Sequence, residues 1–335
     1  MKALQISRYG APPEVVQVVD LPDPGAPDAG EVLLAVEYAP INISEVLTIM
    51  GRYPLLPRSL PATVGNEGVA QILAVGKGVA GLKPGDRVMV PFGHGAWSER
   101  LRVPATGLFP LPTGADPRQL SMLSINPPTA ALLLSSYVDL RLGDWVIQNA
   151  GNSGVGRSVI AIARSRNLRT VSVVRHASLV EELSAAGGDV VLLDGPDLAK
   201  RVGEATGNAR IKLAIDGVAG ESGAALAGTL APGGTVAVYS YISRKPVTAN
   251  GEDLVFRDVQ IRGFWLYAPQ TRHSPKILDG IKLGARLVAE GALNVPVAAT
   301  YVITQPAAAL SHALKGGKVL FQVTGEDVAE QAKGR

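Results

Sequence analysis

"DWVIQNAGNSGVG", residues 144–156, joins an apolar run at Trp145, Val146 and Ile147 to a glycine turn, and the apolar residues Val159 to Ile162 follow at once. That order predicts a strand, a tight turn and a helix. Glycines let such a turn approach a pyrophosphate closely, and the helix start offers free N–H groups and a partial positive charge. The loop keeps two glycines of G-x-G-x-x-G as Gly151 and Gly156, and places Ser153 at the middle position. The motif alone is weak. The strand before it, the helix after it and a second strand at 170–174 give it the context of a dinucleotide site.

The second strand ends at Arg175, 19 residues beyond Gly156 (175 − 156). An acidic residue there would hold a ribose 2′-hydroxyl, whereas arginine suits a 2′-phosphate. No acidic residue follows until Glu181. NADPH is therefore the expected coenzyme, against the plainer reading of Arg175 as a surface side chain.

Further along the chain, short apolar runs recur at 145–147, 171–174, 190–193, 213–215, 235–239 and 259–261, and helical stretches separate the first five. In 155–166, Val155, Val159, Ile162 and Ala163 share one helix face. This alternation predicts an α/β fold with a doubly wound, six-stranded parallel sheet covered on both faces. Residues 1–112 read differently. Short strands at 2–6, 31–38, 68–75, 87–90 and 98–103 lie between turn signals such as "DPGAPDAG" and "KPGD", as in an irregular antiparallel β domain. After 264, a helix from Ser274-Pro275, a strand at 297–303, a helix from Pro306 and a strand at 318–323 are too little to fold alone. They are expected to return to the first domain. The predicted division is 1–121 with 265–335, and 122–264.

Charged residues make up 18% and hydrophobic ones 47%, which argues against disorder. No apolar run reaches the roughly 18 residues of a membrane span, and the N-terminus has neither a secretory nor a transit pattern. A cytoplasmic protein without membrane partners is expected. The net charge of +3 is spread singly and aromatics are 5%, so nucleic acid is not an expected partner. There is no cysteine, and no two of the four histidines stand at metal-ligand spacing, so no metal site is expected.

Seven segments in order, "MGRYPLLP" (50–57), "VGNEGVAQ" (64–71), "GLKPGD" (81–86), "INPPTA" (125–130), "DWVIQNAGNSGVG" (144–156), "VSVVRH" (171–176) and "IRGFWL" (261–266), resemble the zinc-free medium-chain dehydrogenase/reductase superfamily. Within it the chain is similar to the mitochondrial-type trans-2-enoyl thioester (enoyl-CoA or enoyl-ACP) reductases. The resemblance implies a GroES-like β domain beside a Rossmann domain. It also implies NADPH-dependent reduction of an acyl thioester on coenzyme A or acyl carrier protein, in fatty acid metabolism. Zinc alcohol dehydrogenases carry Gly-His-Glu where this chain has Gly65-Asn66-Glu67.

By the same resemblance the site residues are Tyr53, Trp265 and Asn42. Tyr53 would donate its phenol O–H to the thioester oxygen as enolate charge develops. Trp265 would border the nicotinamide, with Asn42 close by. The implied cofactor contacts are Asn126; the loop residues Gly151, Asn152, Ser153, Gly154, Val155 and Gly156; Arg175 and His176; Tyr239, Ser240, Tyr241 and Ile242; Phe264, Trp265, Leu266 and Tyr267; and Lys318. From the residues alone, Tyr53 reads as a loop aromatic beside Pro54, while Trp265 reads equally as core and Asn126 equally as a turn residue. His176 reads as a surface side chain and Lys318 as a solvated strand residue.

Two departures from the family stand out: a short "PFGHGAWSER" segment around His94, and Tyr239-Ser240-Tyr241 in place of a glycine-containing turn. They leave room for a quinone oxidoreductase of the zeta-crystallin type. A homodimer paired through the edge strand at 259–264 is also expected.

Overall fold

Pro and Gly break the first 125 residues into short pieces, and the structure, a computed structural model describing residues 1–325, shows the result. In order come β1 (Lys2–Ile6), α1 (Pro12–Val15), β2 (Val16–Asp20), β3 (Glu31–Ile41), α2 (Ile43–Ile49), β4 (Ala62–Thr63), β5 (Val69–Val75), β6 (Arg87–Met89), β7 (Arg100–Pro104) and α3 (Pro117–Leu120). The second unit opens with α4 (Asn126–Ser136), β8 (Trp145–Asn149), α5 (Gly154–Ser165), β9 (Arg169–Val174), α6 (Ser178–Ala185), β10 (Val190–Leu193) and α7 (Leu198–Thr206). It continues through β11 (Leu213–Asp216), α8 (Glu221–Gly228), β12 (Thr235–Val238), α9 (Gly251–Val255), β13 (Gln260–Gly263) and α10 (Pro275–Ala289). The chain then returns to the first unit with β14 (Val297–Val302), α11 (Pro306–Ala313) and β15 (Lys318–Gln322).

The division falls at 125/126 and 294/295, where the sequence predicts 121/122 and 264/265. The large difference is α10. Its Ile281, Gly284, Ala285, Leu287 and Val288 are buried, and it packs on α4 and α5 of the parallel-sheet unit. Gly280 makes the close approach possible, since a Cβ there would lie 2.7 Å from Pro128 Cα. The last positions of the predicted segment, 326–335, lie outside the described residues.

In the first unit, β15 pairs antiparallel with β3, which also carries β5 and β7, while β14 joins β15 in parallel. β3 runs on to Ile41, beyond the predicted 38, because β15 pairs with its end and Leu320 stands opposite Pro40. β2, which the sequence reading leaves as loop, pairs with β1 along its whole length. Trp97 and Phe321 meet edge to face at 5.0 Å in the core. Gly65, at φ +105°, fits beside Trp97, where a Cβ would stand 2.6 Å from the Trp97 nitrogen. That contact aims the Asn66-Glu67 segment.

The second unit has the sheet order β10-β9-β8-β11-β12-β13, all parallel. Order reverses between β8 and β11, and in such sheets ligands bind beyond the carboxyl ends of the strands at that reversal. Ile147, Val171, Val173, Ala214 and Val236 are buried together, as strands covered on both faces must be.

Candidate active site

The glycine loop leaves the end of β8 and enters α5. Ser153 caps that helix, its hydroxyl accepting from Gly156 N at 3.1 Å. Gln148 Nε2 donates to Gly156 O at 3.0 Å and to Ser172 Oγ at 3.1 Å, which ties the helix start to β8 and β9. A Cβ on Gly156 would lie 2.5 Å from Ala150 O, and one on Gly151 would lie 2.9 Å from Ser172 Cβ. Asn126 opens α4 beneath the same turn, buried, and a Cβ on Gly154 would stand 2.6 Å from its Nδ2. That Nδ2 has no hydrogen-bond partner among the described residues. A buried N–H without a partner is costly, and here it lies against a glycine cradle at a helix start. These residues fit a dinucleotide.

The remaining sequence-predicted residues of this unit follow the carboxyl ends of β9, β12 and β13. Arg175 and His176 are exposed just past β9. Tyr239 to Ile242 leave β12, with Tyr241 and Ile242 mostly exposed. Phe264 to Tyr267 leave β13 beside them, Phe264 N donating to Val238 O at 2.8 Å. The Tyr239 hydroxyl lies 3.5 Å from Ser153 Oγ and packs on Gly217, where a Cβ would be 2.5 Å away. Burial pushes this phenol up to about 12.

Sequence reasoning misses the pair that spans the reversal. Asn149 ends β8 and Asp216 ends β11; Asn149 Nδ2 donates to Asp216 Oδ1 at 2.7 Å, and Gly217 N donates to Asn149 Oδ1 at 2.8 Å. Val218 N and Ala219 N also donate to Asp216 Oδ1. The signal was a polar residue closing each of two apolar strands.

In the first unit, Asn42 stands between β3 and α2 as the helix N-cap residue. Its Nδ2 donates to Glu67 Oε1 at 2.8 Å, and its Oδ1 accepts from Lys318 Nζ at 2.6 Å. Ser124 N donates to Glu67 Oε2 at 3.1 Å. A second carboxylate, Glu45, accepts from Asn42 N at 3.0 Å, Ser44 Oγ at 2.9 Å and Asn66 N at 3.1 Å. Glu45 and Glu67 are sealed from solvent, at 1% and 0% exposed. Burial pushes Glu67 up to about 7 and Glu45 upward; it draws Lys318 down against the opposing pull of both carboxylates. Lys318 is therefore not the solvated strand residue that the residues alone allow.

Tyr53 lies half-buried in the irregular segment that follows α2, with Leu55 and Leu56 partly exposed beyond it. Trp265, in the other unit, is half-buried. His94 is exposed, its Nδ1 3.2 Å from Phe92 O.

The alcohol dehydrogenase GroES-like domain family matches residues 28–113, and the zinc-binding dehydrogenase family matches residues 154–280. The residues at Gly65-Asn66-Glu67 do not fit zinc. Both Glu67 oxygens are engaged, the Asn66 amide donates to Ser44 Oγ at 3.3 Å, the cluster already holds an ammonium, and the chain has no cysteine. Among curated proteins, the mitochondrial enoyl-[acyl-carrier-protein] reductase of Rattus norvegicus is 37% identical over 88% of this chain and 81% of its own length. The Homo sapiens protein of that name is 35% identical over 94% and 86%. These mitochondrial relatives overturn the expectation of a cytoplasmic location.

Among solved structures, the complex of Etr1p with NADP and crotonyl-CoA matches at a TM-score of 0.83 and 25% identity, covering 96% of this chain and 99% of that one. A putative NADPH:quinone reductase from Bacillus thuringiensis matches at 0.84 and 28%, with the same coverage. With family matches in both units and a relative 37% identical along most of its length, the chain belongs to the medium-chain dehydrogenase/reductase superfamily, among its mitochondrial-type enoyl thioester reductases.

Proposed function

We propose that this chain reduces trans-2-enoyl thioesters of coenzyme A or acyl carrier protein, with NADPH as the coenzyme. When bound, NADPH supplies the hydride that adds to the β-carbon of the conjugated double bond. Gly151 to Gly156 and Asn126 hold its pyrophosphate side, and Arg175 with His176 receives the 2′-phosphate. The segments Tyr239 to Ile242 and Phe264 to Tyr267 line the nicotinamide side. The Tyr53 phenol donates a hydrogen bond to the thioester oxygen, where negative charge develops, and so stabilises the enolate. Trp265 excludes water and orients the enoyl group, and Asn42 presents a fixed amide to the same chemistry.

The observation that carries this reading is the segment after α2. Tyr53 there precedes by two and three residues the partly exposed Leu55 and Leu56, side chains suited to an acyl chain, in a chain whose curated relatives are named enoyl-[acyl-carrier-protein] reductases. Similarity to a putative NADPH:quinone reductase supports quinone reduction as the second reading.

The test is steady-state NADPH oxidation with crotonyl-CoA and, separately, with a small quinone, in the wild type and in Tyr53→Phe. Crotonyl-CoA turnover is expected to fall by about 100- to 1,000-fold in the variant, the range for loss of one donor to a developing oxyanion. Quinone turnover is expected to change little. Near-native crotonyl-CoA reduction in Tyr53→Phe would remove the phenol from the mechanism. Activity with the quinone alone would favour the second reading. We also propose that two copies assemble through the free edge of β13.

A further inference from the structure

Two sealed carboxylates lie beside one ammonium where zinc-dependent relatives have a metal-binding motif. Charges buried in this way stay ionised only when partnered, and removing one partner leaves the others exposed to the full cost. The backbone fixes the meeting. Val319, next to Lys318, pairs with Ile41, next to Asn42, while Glu67 enters β5, the other neighbour of β3, and Glu45 lies in the first turn of α2. A carboxylate only accepts and an ammonium only donates. Asn42 therefore has one satisfied orientation, with Nδ2 toward Glu67 and Oδ1 toward Lys318. Turning the amide over would set N–H against ammonium and oxygen against carboxylate.

We propose that Lys318 and Glu67 are positioning residues that hold the Asn42 carboxamide in a single orientation, and that the Lys318 ammonium balances the Glu67 carboxylate across that amide. Family resemblance makes Lys318 a direct coenzyme contact; here its ammonium donates to Asn42 Oδ1 at 2.6 Å. The importance of Asn42 to turnover rests on the enoyl-reductase reading, whereas the charge balance does not.

The experiment is a double-mutant cycle on the full chain without coenzyme: wild type, Lys318→Met, Glu67→Gln and the double variant, with Tm measured from pH 6 to pH 8.5. Lys318→Met is expected to lower Tm by about 5–10 °C, and more at pH 8.5 than at pH 6 because Glu67, pushed up to about 7, is then ionised. The double variant is expected to recover at least half of that loss. A lysine serving only as a phosphate ligand predicts the opposite pattern: unchanged Tm, with NADPH binding weakened equally with or without Glu67→Gln. That pattern, or simple additivity of the two Tm changes, overturns the proposal. If Lys318→Met does not fold, rescue in the double variant supports the proposal and equal failure opposes it.

Orientation is read separately from the side-chain amide signals of 15N-asparagine-labelled protein, with Asn42 assigned by their loss in Asn42→Ala. Hydrogen exchange at that amide is expected to quicken by at least about tenfold in the double variant. Unchanged exchange overturns the positioning role. With crotonyl-CoA, kcat of the double variant is expected to fall by about 10- to 100-fold while the KM for NADPH changes little. If the wild type does not reduce crotonyl-CoA, the enoyl-reductase reading fails while the thermal and exchange results still decide this one.

Discussion

Glu67 binds its proton more tightly in the folded chain than in the unfolded one, moving from an ordinary 4.5 to about 7 through burial. A group raised in this way contributes stability that is complete below the unfolded value and lost as pH climbs through the folded one. Folding is therefore expected to weaken between about pH 5 and pH 8, by up to about 3 kcal/mol from Glu67 alone, and Glu45 shifts in the same direction. A thermal scan across that range checks the sign; a Tm that rises steadily toward pH 8 contradicts it. The surroundings of Glu67 could not be read from the sequence, because Asn42, Ser124 and Lys318 come from distant positions and meet only in the folded unit, whereas Glu45 caps its own helix start from three residues past Asn42. The place of Arg175 just past a strand end was legible, since it follows from a local count from the glycine loop to the next strand. Replacing it with Asp is expected to weaken NADPH binding by about 10- to 100-fold, the worth of a charged hydrogen bond to phosphate, while NADH binding holds or improves. Equal effects on both coenzymes would make Arg175 an ordinary surface residue.

At the scale of elements, the strand, turn and helix at 145–165 could be read because each local signal agrees with the others: an apolar strand, glycines where backbone crowds backbone, and a serine cap. Gly156 and Gly154 separate two reasons for glycine. An added Cβ at Gly156 would meet the backbone oxygens of Ala150 and Gly151 at 2.5 and 2.6 Å, which cannot move without moving the turn. At Gly154 it would meet the tip of the Asn126 side chain, which can rotate. Gly156→Ala is therefore expected to cost about 2–4 kcal/mol of stability, in the range of overpacked cores and strained backbone. Gly154→Ala is expected to fold nearly normally and bind NADPH at least about tenfold more weakly. Denaturant midpoints and coenzyme titrations of the two variants test the contrast; equal loss of stability in both would show that the Asn126 side chain is not free to yield. α10 departs from the predicted division for a related reason. Its apolar face is plain in the sequence, but the partner of that face is set by Gly280 against Pro128, a contact between residues far apart along the chain.

For the whole molecule, β13 pairs with β12 and ends the parallel sheet among the described residues; no strand pairs with its other edge, where Gly263 O accepts from the Tyr137 hydroxyl at 2.8 Å. The segment just before it exposes apolar side chains, with Val255 at 74% and Phe256 at 82%. An open edge flanked by apolar surface is a liability that a second copy would cover. Light scattering behind size exclusion at micromolar concentration is expected to give twice the 34.8 kDa chain mass. Glutamate at both Val255 and Phe256 is expected to halve it, because burying two carboxylates in the contact is unfavourable while the monomer already exposes both positions to water. The variant should keep the wild-type denaturant midpoint of its isolated fold, since neither side chain belongs to the core. A wild type that runs at single-chain mass leaves β13 an ordinary edge. A double variant that stays at twice the mass moves the contact elsewhere on the surface.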